Sequence, residues 1–349
     1  MRITVFSRAL APYSVCFLRH LAARGLRLEL IYDPVAGAAP FSEFDLGFCE
    51  RSVADADGQH RRAWLRRPDH ELPDAALLGG WIDPLERAAG RRLRRLGRPV
   101  ACAIDNPWTG TWRQWLGVLA APFYLRPMTN IAWVAGAAQA RFARRLGFPV
   151  VAEGLYCADI EAYAGNQPLA EREPALLFTG RLVTDKGIDL LLAAYRQYRD
   201  QVAEPLELWL AGTGPLAGLA EQQAGVRALG FVQPSALPAL MARCQALVLP
   251  SRVENWGVVI HEAAAAGLPV LASRACMAAG RFVRDGASGY VHEAGSAPAL
   301  LAALRRFHDL DRRQRQLMSR QSKELALTWS PFLQAERFEA LMRESGAGA

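Results

Sequence analysis

The sequence predicts an α/β protein of two doubly wound domains, each a parallel sheet covered by helices. Three observations point there. Short apolar, β-branched runs alternate with helix-length amphipathic segments, the signature of βαβ units. The alternation restarts after residue 165. Finally, 349 residues, 51% hydrophobic and 21% charged, exceed one typical domain and suffice for two cores.

In chain order, "RITVF" (2–6) reads as a strand and "SVCFLRHLAARG" (14–25) as an amphipathic helix stopped by Gly25. "LRLELIY" (26–32), "RPVACAID" (98–105) and "NIAWVAG" (130–136) are further strands, the last followed by the helix "AAQARFARRLG" (137–147). The polar stretch "YAGNQPLAEREP" (163–174), with its Gly and Pro, reads as a linker. Beyond it come strand "PALLFTG" (174–180), helix "GIDLLLAAYRQYRD" (187–200) and strand "LELWLAG" (206–212). "VRALGFV" (226–232), "CQALVLPS" (244–251) and "LPVLAS" (268–273) complete the series, with a helix from about Trp256 to Ala266 before the last. The tail "SPFLQAERFEALM" (330–342) opens on Ser-Pro, an N-cap with Pro at the first helical position. The domains expected are therefore 1–162 and 163–329, with 330–349 as a terminal helix.

Composition excludes several classes. No run of about 18 uncharged apolar residues is present to span a membrane. The opening stretch carries Arg8 and Arg19 and lacks the apolar run of a secretory signal, so a cytosolic protein is expected. Six scattered cysteines form no CxxC pair and six histidines no HxxxH pair, which suits a reducing compartment and no metal site. Residues 1–155 hold 21 Arg, no Lys and 14 acidic residues, whereas residues 156–349 are neutral. A basic face toward an anionic partner follows from that asymmetry.

Ligands of open parallel sheets sit beyond the carboxyl ends of the strands. Three strand ends in the second half qualify. "FTGRLVTDKG" (178–187) puts Arg181 and Lys186 after Gly180, two cations able to neutralise a diphosphate unless Asp185 pairs with one of them. "LAGTGPL" (210–216) brings Gly212 and Gly214, which permit close backbone approach and equally serve a tight βα turn. "LPSRVENWGVVIHEAAAAGLPVLAS" (249–273) places Glu254 in the loop and Glu262 in the helix among alanines. An enclosed Glu262 could accept hydrogen bonds from adjacent sugar hydroxyls, while the N–H groups of Asn255, Trp256 and Gly257 would face an anion. The alternative is a helix-start acid and a surface glutamate.

Taken together with "LGFV" (229–232) and "RDGASGYV" (284–291), these motifs resemble the family 4 retaining glycosyltransferases. The resemblance covers most of residues 174–292. It implies the GT-B fold, two Rossmann-like doubly wound domains facing a central cleft, with the terminal helix crossing back to the N-terminal domain. The C-terminal domain would bind a nucleotide-diphosphate sugar and the N-terminal domain an acceptor. Arg181 and Lys186 would hold the diphosphate and stabilise its departure. Glu254 would contact the sugar hydroxyls, and the N–H groups of Asn255 to Val258 would line sugar and phosphate. Glu262 would bind the ribose, Val232 would lie beside the base, and Gly180, Gly212 and Gly214 near the phosphates. No cofactor and no metal are implied.

Three stretches depart from the family pattern. The first βα turn, "FSRALAPYSV" (6–15), has no glycine and would shape an acceptor site. "LYCAD" (155–159) keeps only Asp159 of an expected Asn-Gly-Val-Asp. His261 stands where an aliphatic or Asn is expected and reads as packing.

In the first half, "AIDNPWTGTWRQW" (103–115) sets Asp105 at a strand end, a candidate to orient or deprotonate an acceptor hydroxyl. Trp108, Trp112 and Trp115 recur at spacings of four and three, one helical face that serves as core or as a sugar-stacking platform. "RRAWLRRP" (61–68) and "RRLRRLGR" (91–98) are solvated helix faces or a dock for anionic lipid. Nothing marks a nucleic-acid partner. The expected activity is retaining transfer to a saccharide or polyprenyl-linked acceptor in cell-surface polysaccharide or lipopolysaccharide synthesis, cytosolic and peripheral to the membrane. A GT-B sugar-nucleotide epimerase and a catalytically silent sugar-nucleotide scaffold are the alternatives.

Overall fold

The computed structural model describes residues 1–8, 10–34, 44–164 and 168–347. Residue 9, within the first βα turn, and residues 165–167, within the expected linker, lie outside the described residues. The chain divides into two compact units, Met1–Cys157 with Pro331–Ala349, and Ala158–Ser330.

The first unit contains β1 (Arg2–Ser7), α1 (Pro12–Ala23), β2 (Arg27–Tyr32), β3 (Arg51–Ala54), α2 (Gln59–Leu65) and β4 (Ala75–Leu78). It continues with α3 (Pro84–Arg95), β5 (Val100–Ile104), α4 (Trp112–Tyr124), β6 (Ile131–Val134), α5 (Ala137–Arg145) and β7 (Val150–Glu153). The seven strands form one parallel sheet in the order β3-β2-β1-β4-β5-β6-β7. Alternation of buried side chains on the strands gives it two apolar faces. Phe6, Trp64, Leu78, Val100 and Met128 fill one, and Ile3, Val5, Leu21, Leu30 and Trp133 the other.

The second unit contains β8 (Ala175–Thr179), α6 (Ile188–Gln201), β9 (Glu207–Ala211), α7 (Ala217–Glu221), β10 (Val226–Gly230), α8 (Leu237–Arg243) and β11 (Ala246–Leu249). There follow α9 (Val258–Ala265), β12 (Val270–Ser273), α10 (Ala279–Phe282), β13 (Gly289–His292), α11 (Ala297–His308) and α12 (Arg312–Leu327). Its parallel sheet runs β10-β9-β8-β11-β12-β13, the same doubly wound order as the first. Strand order therefore reverses between β1 and β4 in one unit and between β8 and β11 in the other. Such reversals open crevices at the carboxyl ends, where ligands bind.

A final helix, α13 (Pro331–Ala347), belongs to the first unit and packs on α1. Its Ala335, Phe338 and Met342 are buried, with Phe338 edge-on to Phe17 and Trp133 at 5.5 and 5.2 Å. At about 1.5–3 kcal/mol for each large apolar side chain, that burial holds the segment on the first unit. Glu339 adds an ion pair to Arg24 at 2.6 Å.

Candidate functional site

In the second unit the chain leaves β8 at Gly180, whose φ of 147° is open to glycine. The following loop runs beside the loop after β9. Leu182 N–H donates to Thr213 O at 2.8 Å, and Leu216 N–H to Leu182 O at 3.1 Å. The approach is so close that a Cβ on Gly212 would lie 1.8 Å from Gly180 O, and one on Gly214 2.4 Å from Leu182 O. Backbone packing alone requires both glycines. Lys186 completes a helical turn over Thr184–Lys186, and Gly187, at φ 72°, would set a Cβ 2.3 Å from Pro250 O. That contact locks the start of α6 to the end of β11. Arg181 is exposed and makes no ion pair among the described residues.

Beyond β11, Arg252 forks onto Asp189 at 2.6 Å through each terminal nitrogen, and its N–H donates to Asp185 O at 2.8 Å. The loop is thereby tied to the β8–α6 junction, and Glu254 comes to rest against Lys186 in a largely buried ion pair. Asp185, the partner open to Lys186 from spacing, is not the one it takes. Trp256 is buried against Phe282 at 6.5 Å, and Gly257, at φ 91°, caps α9. The helix begins at Val258, later than the spacing suggests, because only glycine serves its left-handed start. Like any helix start it leaves N–H groups without intrahelical partners. Val232 follows β10 in a half-buried loop.

Glu262 lies on the second turn of α9. Burial pushes its carboxyl up to about 7, partly offset by a hydrogen bond from the Tyr163 phenol. Tyr163 comes from the stretch expected as linker and is itself buried, which no sequence pattern signals. His261, the preceding residue, points into the core and stacks on Phe282 with centroids 4.0 Å apart. It does more than pack. Its Nδ1 accepts from Ala158 N–H at 3.0 Å, so Nε2 carries the proton and donates to Ala326 O at 3.1 Å. Burial lowers its pKa to about 4, keeping the ring neutral. This one side chain ties the first residue of the unit to its last long helix.

The fold thus brings Gly180, Arg181, Lys186, Gly212, Gly214, Val232 and Glu254 to Val258 to one edge of the second sheet, with Glu262 one helical turn deeper. Direct contact joins Lys186 to Glu254 and the Gly180 and Gly212 loops; Glu262 is held by Tyr163 instead. Among the described residues, no cluster of three or more His, Cys, Asp or Glu is placed to hold a metal ion.

Asp105 lies in the first unit. It lines a cavity of about 530 Å³ at the ends of β1, β4 and β5, with Arg8, Tyr13, Trp81 and Tyr156 among its walls. Its Oδ2 accepts from Tyr156 Oη at 3.2 Å, and its carbonyl from Gln139 Nε2 at 3.1 Å. Gly79, in the cavity wall, donates its N–H to Glu86 at 3.0 Å, and Glu86 faces the buried guanidinium of Arg61 at 3.6 Å. Arg61 also meets Asp33 at 2.7 Å and Asp55 at 3.1 Å.

Two expectations are met only in part here. Some arginines of the runs are held within the unit, while Arg62, Arg66 and Arg95 are exposed. Arg61 is buried, Arg67 forks onto Glu29 at 2.8 and 2.5 Å, Arg92 donates to Leu65 O at 2.6 Å, and Arg98 to Pro73 O at 2.9 Å. The tryptophans do not form one core stripe. Trp108 precedes α4 and packs on Trp115 and Phe142, at 5.1 and 5.7 Å, while Trp112 is 68% exposed.

Residues 159–324 match the family model described as glycosyl transferases group 1. The alpha-D-kanosaminyltransferase of Streptomyces kanamyceticus is 26% identical over 201 residues, 54% of this chain and 51% of that protein. The GDP-mannose-dependent alpha-(1-6)-phosphatidylinositol monomannoside mannosyltransferase of Mycolicibacterium smegmatis is 29% identical over 261 residues, 66% of this chain and 63% of that one. The match to the first of these relatives spans about half of its length. In fold, the chain superimposes on HepE of Anabaena, solved in complex with UDP-glucose, with a TM-score of 0.75, 16% identity and coverage of 99% and 100% of the two chains. Residues 159–324 thus match the glycosyl transferases group 1 model, and the fold is that of the two-domain GT-B architecture.

Proposed function

We propose that the chain transfers a sugar from a nucleotide-diphosphate sugar to a saccharide or lipid-linked saccharide acceptor, with retention of anomeric configuration. The observation that carries this reading is the Lys186–Glu254 ion pair at the reversal between β8 and β11, one turn of α9 from the enclosed Glu262. A diphosphate is doubly served there, by Lys186 and Arg181 as cations and by the N–H groups at the start of α9. Glu254, paired with Lys186, turns one oxygen toward a sugar hydroxyl when a diphosphate shares that cation. Glu262, held by Tyr163, accepts from the ribose. Asn255 to Val258 line sugar and phosphate, and Val232 flanks the base.

In this mechanism the largest contribution is preorganised charge. As the bond from sugar to diphosphate breaks, negative charge grows on the leaving oxygen, and Lys186 and Arg181 already face it. No step is assigned to a metal. The cavity in the first unit is the acceptor site, with Asp105 accepting a hydrogen bond from the attacking hydroxyl. The relatives support the class: one is a kanosaminyltransferase, another a GDP-mannose-dependent phosphatidylinositol monomannoside mannosyltransferase. The epimerase alternative needs an additional acid–base pair. His261 does not supply it, because both ring nitrogens are bonded to backbone.

The test is slow hydrolysis of UDP-, GDP- and dTDP-sugars followed by proton NMR. Release of the sugar in the donor's own anomeric configuration, ahead of mutarotation, is the expected result. Release of the opposite anomer removes retention, and epimerised donor in place of free sugar establishes the alternative.

A further inference from the structure

We propose that α4 is a membrane-surface element that lays its outer face into an anionic lipid bilayer. The helix is inverted relative to an ordinary surface helix. Trp112, Trp115, Leu116, Leu119 and Phe123 fall within an arc of about 100° at 3.6 residues per turn. All five are exposed, from 54% for Trp115 to 83% for Phe123. On the opposite side only Ala121 is fully buried, with Val118 and Tyr124 packed against the core. A contiguous large-residue face of this kind is rare on a soluble surface and marks an interaction site.

Charge decides the occupant. Residues 106–152 contain five arginines and not one Asp or Glu. Two of the arginines frame the apolar face: Arg113 lies over the Trp112 ring at 5.5 Å, and Arg145 over Trp108 at 4.8 Å, itself edge-on to Trp115 at 5.1 Å. Tryptophan with arginine at the N-terminal end of the face, and leucine and phenylalanine along the rest of it, supply the amphipathic anchors and the apolar area that a lipid surface takes. Anionic headgroups supply the counter-charge that the stretch itself lacks. A second copy of the chain would set these same uncompensated arginines against each other, so self-association through this face is disfavoured. The docking surface lies on α4, apart from the arginine runs at 61–68 and 91–98, and the inference stands independently of the sugar-transfer reading.

Flotation with phosphatidylcholine vesicles, with and without phosphatidylglycerol, tests it. The wild-type chain is expected to float with the phosphatidylglycerol vesicles, with a blue shift of tryptophan emission, and to be released at high ionic strength. The double variant Leu119→Glu/Phe123→Glu is expected to bind roughly tenfold more weakly or worse. Both substitutions are at exposed positions, and circular dichroism verifies the fold; Trp112→Ala/Trp115→Ala serves as the milder second variant. Three results overturn the proposal: no binding of the wild type to anionic vesicles, equal binding by wild type and both double variants, or a self-association in solution that the glutamate variant abolishes without any vesicle binding.

Discussion

Glu262 retains its proton to about pH 7 because burial disfavours the charged carboxylate, and Glu86 in the first unit does so for the same reason. A carboxyl whose folded pKa lies above its unfolded value stabilises the fold while protonated and loses that contribution as pH rises. For Glu262 the window runs from about 4.5 to about 7. Wild-type stability is therefore expected to fall relative to Glu262→Gln across that interval, as read by urea unfolding at several pH values. A difference that stays constant with pH removes the enclosed-carboxylate account. Lys186 gives the second prediction at this scale. Lys186→Ala is expected to lower kcat by about 10²–10³, the order seen when one charge-stabilising group is removed, with a change in Tm of only a few degrees. A variant of full activity rules out the diphosphate role. Both glutamates and Lys186 are visible as residue types at strand ends, yet their partners are not. The sequence leaves Lys186 open to Asp185, and Tyr163 sits in apparent linker, because long-range pairing depends on which loops the sheet sets side by side.

Among elements, the two glycines after β9 make the sharpest prediction. Gly212→Ala would force a Cβ to 1.8 Å from the Gly180 carbonyl, an overlap no small adjustment relieves. We expect a loss of about 2 kcal/mol or more by chemical denaturation. Gly218→Ala, in α7 with open space around it, is the control and should be neutral or gain up to about 1 kcal/mol from helix propensity. Equal effects at the two positions would mean that the loop packing has been misread. The long strands β1, β2, β8 and β9 and helix α6 are legible from alternation and periodicity. Strands β3, β4, β7 and β13, four residues each, are not, since so short a run carries no period; β6, β11 and β12, equally short, are legible only as apolar runs bounded by turn residues. For α4 the tryptophan spacing signals a helical face, without the helix bounds or the outward exposure: only the fold decides whether water or core meets such a face.

At the scale of the whole molecule, α13 is the return that completes the first unit. Truncation before Pro331 strips Phe338 and Met342 from Phe17 and Trp133 and leaves Arg24 without Glu339. The first unit is expected to lose cooperative unfolding, and a truncated chain that melts like the wild type excludes the packing described. The doubly wound character of both units follows from alternation spread over tens of residues, which survives in sequence, whereas the terminal return is implied by the family resemblance alone. Which residues finally converge at the strand ends follows from sub-ångström backbone packing, and that does not.

The most direct test is thermal unfolding of the wild type, Lys186→Ala and Glu262→Ala with saturating UDP-, GDP- and dTDP-sugars. At least one donor should stabilise the wild type, by about 2.7 kcal/mol at a hundred times its Kd, and both variants should lose most of that gain. Failure of every donor to move the wild-type transition, or equal stabilisation of all three proteins, contradicts a sugar nucleotide gripped by Lys186 and Glu262.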